Sequence, residues 1–246
     1  GVHRHITSVL PACVHTRSPK GVSAETADLM EGLTSSAGWV HILTDHNSVW
    51  ERKEIPEYNA SSGAGKKTLL RSSMRLRLPI EEASDMLFNF DERRPRYESL
   101  LKGLTLLRGS TRSGDDDFIV RLRYNFGLIA RMGGAPSELN VRFLRLWGTP
   151  APGKLTVVSM PWDVAHDKHD STHKSMSTIV TVLEVDKATG GTLLRRIEVS
   201  KFGDMPDWGL SYIVRHFLAR QIQDMEKSYE ANIKLAGLAS PLTRAR

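Results

Sequence analysis

From Leu70 to Leu78 the chain alternates strictly. Leu70, Ser72, Met74, Leu76 and Leu78 fall on one side, and Arg71, Ser73, Arg75 and Arg77 on the other. A period of two is the signature of a strand with one wet face, and Pro79 ends it. The same pattern returns in "FIVRLRYNF", where Phe118, Val120, Leu122, Tyr124 and Phe126 oppose Arg121, Arg123 and Asn125. In "LNVRFLRLW", Leu139, Val141, Phe143, Arg145 and Trp147 share a side, with Asn140, Arg142, Leu144 and Leu146 opposite. "HNSVWERKEI", "KLTVVSM", "MSTIVTVLEV" and "TLLRRIEVS" read as further strands, the last two joined through the turn "KATGG". Short connections between consecutive strands predict a mainly antiparallel sheet.

Helical spacing appears at three places. "SAETADLMEGL" predicts a short helix with Ser23 as its N-cap. "IEEASDMLFNFDERRPRYESLL" predicts one or two short helices, broken near Pro95. From Pro206 to Gly237 the chain reads as a single long helix. Leu210, Ile213, Val214 and Phe217 share one face of it, and Leu218, Ile222, Met225 and Tyr229 continue the stripe with a slow drift. So long an apolar stripe needs an extended partner. A curved sheet with an apolar concave face supplies one, which makes the fold class α+β.

Composition changes this picture little. Hydrophobic residues at 40% and charged residues at 25% of the 246 are ordinary for a globular chain. No apolar run reaches the roughly 20 residues that span a bilayer, and the first residues lack the apolar core of a secretion signal. Cys13 is the one cysteine, so no internal disulfide can form, and a cytoplasmic, reducing setting is expected. The net charge of +6 is mainly terminal: Arg4, Arg17, Lys20, Arg244 and Arg246 stand in ends without an acid, leaving 29 basic residues against 28 acids between them. Residues 1–21, with Pro11, Pro19 and Gly21, are expected to be a flexible basic lead-in, and residues 240–246 a basic tail. Nothing here calls for a nucleic-acid partner.

Two motifs hint at other chemistry. His166, His169 and His173 stand among Asp163, Asp167 and Asp170, donors that suit zinc. The segment is nearly without apolar residues, so a solvated loop is expected, with no metal. "SSGAGKKT" resembles a phosphate loop, but the pattern needs Gly where Ala60 stands and Ser or Thr where Lys67 stands. A Gly/Ser turn is expected there. No nucleophile with a neighbouring base stands out, so no catalytic residue and no cofactor are assigned.

The order of these elements resembles the START lipid-transfer domain, within the wider helix-grip group, over roughly residues 22–237. The likeness rests on "VWERKEI" in the first strand, on "MRLRLPIEEASDMLFNFDERRPRY", and on "FGDMPDWGLSYIVRHFLARQI". In the last of these, Gly203, Asp204, Pro206 and Trp208 carry the entry to the final helix. The resemblance implies one START-like domain over 22–239. A curved antiparallel sheet of about nine strands would wrap the C-terminal helix and enclose a hydrophobic tunnel for one sterol, phospholipid or other lipid. It further implies a monomer without catalysis that exchanges lipid in transient contact with membranes as the terminal helix and nearby loops open. Gly203 and Gly209 are candidate hinges or tight-packing positions. Each methylene withdrawn from water is worth about 0.8 kcal/mol, so a closed apolar cavity can compete with a bilayer.

On this reading the tunnel lining comprises Phe118, Val120, Leu122, Tyr124, Phe126, Val141, Phe143, Arg145, Trp147, Trp208, Ile213 and Phe217. Arg145 is the anomaly, because an unpaired buried charge costs several kcal/mol. The family often pairs an arginine at this strand position with an acid. Here the preceding strand offers Tyr124, Asn125 and Phe126, and the family's Arg-Asp step is replaced by Leu139 and Asn140. Arg145 either meets a lipid headgroup directly or, with the register displaced by one residue, faces water. Arg195, beside Leu193 and Ile197, is a weaker inward candidate, with Glu184 near it. An enzyme of the same fold, a cyclase or hydrolase with a buried hydrophobic substrate, and a ligand-free interaction module are the competing readings.

Overall fold

The computed structural model describes residues 24–45, 47–59, 63–88, 101–109, 117–125, 137–148, 152–170, 176–199, 207–213, 215 and 219–235. The elements follow as α1 (Ala24–Thr34), β1 (Val40–Asp45), β2 (Ser48–Asn59), β3 (Gly63–Leu76), α2 (Ile80–Phe88), β4 (Leu101–Arg108), β5 (Asp117–Tyr124), β6 (Glu138–Trp147), β7 (Lys154–Asp163), β8 (Lys168–His169), β9 (Ile179–Val185), β10 (Thr192–Val199), α3 (Asp207–Ile213) and α4 (Ala219–Leu235).

One antiparallel sheet runs β1-β2-β3-β10-β9-β7-β6-β5-β4, with β8 hydrogen-bonded beside β7. Most neighbours are consecutive in the chain. The exception that matters is β10, which returns to pair with β3, setting Leu194 opposite Met74 and Arg196 opposite Ser72. The end of the sheet segment is thereby stitched to its beginning. β7 is buried from Leu155 to Trp162 because both its faces are covered. Pro161 lies past the end of the β9 pairing, which stops at Ser159 and Ile179, and serves there as an acceptor, its carbonyl taking the Asp170 N–H at 3.0 Å.

Alternation sorts the apolar side chains into two layers. Trp50, Leu70, Met74, Leu76, Phe118, Val120, Val141, Phe143, Val157, Leu183 and Leu194 form the inner layer, with Ile80, Ala83, Met86 and Phe88 of α2 and Met225 of α4. Ile119, Leu144, Val158, Met160, Val180, Val182 and Ile197 face outward in a second cluster, which Leu29 and Leu33 of α1 join over β9 and β10. Gly32 of α1 is required by closeness, since a Cβ there would lie 2.6 Å from Ile197 Cδ1. Arg71 fastens the end of α1 by donating from Nη1 to the carbonyls of Ser35 at 2.6 Å and Gly32 at 3.3 Å, and from Nε to Glu51 at 2.7 Å.

On the other side, α4 is seated by Met225 and by Glu226 Oε1, which accepts the Arg77 backbone N–H at 2.8 Å. Tyr229 packs against the same core, where burial pushes its hydroxyl pKa up and the Glu82 charge of α2 adds to the effect.

The α+β helix-grip architecture expected from the sequence is present, with three corrections of detail. β1 and β4 form the two edges of the sheet and were not expected; β4 is only lightly buried, and Gly103 interrupts its pattern. Leu101, expected at a helix end, opens β4. Gly63–Thr68, expected as a turn, extends the long β2–β3 hairpin, with Tyr58 opposite Ala64 and Asn59 opposite Gly63. The His/Asp segment, exposed from Val164 to Lys168 as expected of a solvated loop, also returns to β7 as β8, with Asp163 bonded to His166 at 2.7 Å and Trp162 Nε1 donating to Asp167 at 3.0 Å. Among the described residues no group of three His, Cys, Asp or Glu could hold a metal ion. Residues 1–23, 89–100 and 236–246 lie outside the described residues, as do Phe126, His173, Gly203, Asp204, Pro206 and Phe217. The long terminal helix is described as α3 and α4; Val214 and residues 216–218 between them also lie outside.

Candidate functional site

The concave face is built in rows, because residues in register on neighbouring strands stand side by side. One row crosses almost the whole sheet: Leu43, Trp50, Ser72, Arg196, Thr181, Val157 and Arg145. The next row holds Arg52, Leu70, Glu198, Ile179, Ser159, Phe143 and Phe118. On the far side of the first row lie Met74, Leu194, Leu183 and Leu155, all buried and apolar. A basin of hydrocarbon is therefore crossed by a band of hydroxyls and charges.

Arg145 faces inward, so the register expected from alternation holds in β6 as far as this residue. Only 3% exposed, its guanidinium carbon sits 5.1 Å from the centre of the Phe118 ring. Phe118 in turn stacks on Phe143, with centroids 5.3 Å apart and planes 14° from parallel. An aromatic face is a fitting neighbour for a guanidinium, since the ring quadrupole attracts the cation.

The second inward cation is Arg196. Its Nη2 donates to Glu198 Oε2 at 2.6 Å, both residues lying on the concave side of β10 because they are two apart. Arg196 Nε has no hydrogen-bond partner, and neither does Ser72 Oγ on the adjoining strand. Three strand spacings separate Arg196 from Arg145, about 14 Å along the sheet.

The sequence-predicted residues divide clearly. Phe118, Val120, Leu122, Val141, Phe143 and Arg145 are buried on the concave side, with Tyr124 partly buried against the same core. Trp147 shares the concave side of β6 by register, opposite Leu155, but is 50% exposed at the strand's end. Trp208 is 78% exposed on the outer side of α3. Ile213 belongs to α3, while Phe126 and Phe217 lie outside the described residues. Arg195 is corrected: it points to the outer face, where Nη2 donates to Glu184 at 2.6 Å and Lys154 also pairs with Glu184. Gly209 is buried, in keeping with a packing position.

Sequence reasoning missed Arg196, Glu198, Ser72 and Thr181. Adjacent arginines at 195 and 196 leave the inward one undecided until β10 is placed against β3. A signal did exist, since Arg196 and Glu198 stand two apart and must share a face of any strand.

No protein-family sequence model and no curated protein sequence matches this chain. Its backbone path does match solved structures. Human StAR-related lipid transfer protein 5 superposes with a TM-score of 0.58 at 10% identity, over 83% of this chain and 92% of that one. Human STARD10 superposes with a TM-score of 0.55 at 10% identity, over 90% of this chain and 87% of the other. The chain has a START-like helix-grip fold.

Proposed function

We propose that this chain is a non-enzymatic lipid carrier that holds one lipid between the concave face of the sheet and α4, and exchanges it with membranes. The observation that carries the reading is the polar band of Ser72, Arg196, Thr181 and Arg145, flanked by Glu198 and Ser159 in the next row, across a mainly apolar basin. An amphiphile needs both: hydrocarbon burial at about 0.8 kcal/mol per methylene for its tail, and hydrogen-bonding groups for its polar end. The inner faces of β5 and β6, from Phe118 to Tyr124 and from Leu139 to Arg145, bound the tail side, with Phe118 itself shut off by Phe143 and Arg145. The solved structures that share the backbone path include one named as a lipid transfer protein. A carrier fits better than a catalyst, because an Arg–Glu pair, separate hydroxyls and a ring-covered arginine can hold a ligand but supply no activated nucleophile. Residues 22–239 form the lipid-binding unit in this reading, working as a monomer in an aqueous compartment, with basic ends on either side.

Exchange requires the apolar stripe to open. The mobile piece in this reading is α4, held by Met225, Tyr229 and the Glu226 contact, since it can lift without breaking a sheet hydrogen bond. Among the described residues no helix is long and apolar enough to cross a membrane, so contact with a bilayer would be peripheral. The test is twofold: organic extraction and mass spectrometry of the purified protein, and transfer of fluorescent sterol, phospholipid, sphingolipid and fatty acid between donor and acceptor vesicles. A bound lipid near one per chain and faster transfer of at least one class are expected. Neither a bound lipid nor faster transfer of any class would overturn the reading.

A further inference from the structure

We propose that Ser72, Arg196 and Glu198 form a cradle for the hydroxyl group of a neutral lipid. The inference rests on the carrier reading and adds to it the chemistry of the ligand's polar end. Three observations lead to it. Arg196 and Ser72 are register partners on β10 and β3, so their Cβ atoms stand about 5 Å apart on the concave face. Arg196 Nε and Ser72 Oγ are both shut off from water and lack a hydrogen-bond partner. Leaving a buried polar group in that state is costly, and here two such groups adjoin. Arg196 nevertheless keeps 28% of its side chain reachable, which marks the side from which a partner arrives.

The charge balance selects the ligand. Glu198 already lies 2.6 Å from Arg196 and matches its charge, so the cradle as a whole is neutral. An added carboxylate or phosphate would meet Glu198 at close range, and two like charges at one site disfavour each other strongly. A hydroxyl suits all three groups: its oxygen accepts from the Arg196 N–H, and its hydrogen is donated to Ser72 Oγ or to the Glu198 carboxylate. Trp50 beside Ser72 and Leu70 beside Glu198 give the cradle apolar flanks, so the rest of the molecule is hydrocarbon where it leaves the hydroxyl.

The test uses one tail with three polar ends: 16-(pyrenyl)hexadecan-1-ol, its methyl ether, and 16-(pyrenyl)hexadecanoic acid, each titrated into the full chain by pyrene fluorescence. The alcohol is expected to bind more than about tenfold tighter than the ether, because a site built to bond a hydroxyl rejects the analogue that lacks it. Ser72→Ala should cut that ratio at least threefold, and the double substitution Arg196→Met with Glu198→Leu should abolish it. Far-UV circular dichroism and a cooperative urea transition show that both variants fold, and the alcohol-to-ether ratio, rather than either affinity alone, is the quantity compared. Equal binding of alcohol and ether, tightest binding of the acid, or a ratio indifferent to Ser72→Ala would overturn the cradle while leaving the carrier reading in place. If none of the three probes binds, while another lipid class is carried, the cradle again fails alone; if no lipid class is carried, both fail.

Discussion

Phe118 is where the inner layer can be tested most sharply. Its ring is 0% exposed, stacked on Phe143 at 5.3 Å and capped by the Arg145 guanidinium at 5.1 Å. Phe118→Ala removes a ring covered on every side, and such truncations cost about 3–5 kcal/mol in transfer and cavity terms. The stacked pair accounts for about 0.5–1.5 kcal/mol of that, and the cation contact for about 0.5–2 kcal/mol. The upper part of the range is therefore expected. At about 2–4 °C per kcal/mol for a chain of this size, the midpoint of thermal unfolding should fall by about 10–15 °C. Phe118→Leu keeps most of the volume and should cost only about 1.5 kcal/mol. Urea unfolding followed by circular dichroism gives both numbers, provided the slope with denaturant is unchanged. If the alanine variant lost less than about 1.5 kcal/mol, the ring would border open space, and the packing described for β5 and β6 would be wrong.

Three further outcomes follow from named contacts. In the β9–β10 turn, Gly190 has φ +73° with open space around its Cβ position, whereas a Cβ on Gly191 would lie 2.2 Å from the Leu76 carbonyl oxygen. Gly190→Ala should therefore cost only about 1–2 kcal/mol of backbone strain and Gly191→Ala clearly more, as measured by urea unfolding. Asp186 in the same turn accepts from the Ala188 N–H at 3.1 Å and from Thr189 Oγ1 at 3.0 Å, and these bonds lower its carboxyl pKa in the folded state. A lowered folded-state pKa means stability that is complete above the unfolded value of about 3.9 and is lost as pH falls through the folded value. Asp186→Asn should lower stability at neutral pH and flatten the decline below about pH 4, and an unchanged acid limb would refute this. Finally, Trp208 and Tyr212 stand four residues apart on the exposed side of α3, with Arg215 exposed one turn on. Aromatic and arginine side chains of this kind favour the membrane interface. Replacing Trp208 and Tyr212 with Ser should slow lipid transfer between vesicles at least threefold without changing the unfolding midpoint.

Alternation alone determined most of the sheet. Strands β2, β3, β5, β6, β7, β9 and β10 are legible because one or both of their faces are buried, and burial forces the period of two. The inward side of β5 and β6, including Arg145, followed from the same rule. Where burial is slight the rule is silent: β1 and β4 are edge strands with mixed patterns, and Trp147 is released to solvent at the end of β6. Trp208 misled because an aromatic beside a helix start satisfies a motif equally well inside or outside.

Tertiary pairing decided the rest. Local sequence offers Arg195 and Arg196 as equals, and only the register of β10 on β3 turns one toward Glu184 on the outside and the other toward Ser72 within. The polar band across the basin is likewise invisible along the chain. Its members Ser72, Arg145, Thr181 and Arg196 come from four strands, β3, β6, β9 and β10, and they meet because each strand's hydrogen bonds fix its neighbour to the residue. Local periodicity sets which face a side chain takes; only the assembled sheet sets whom it meets there.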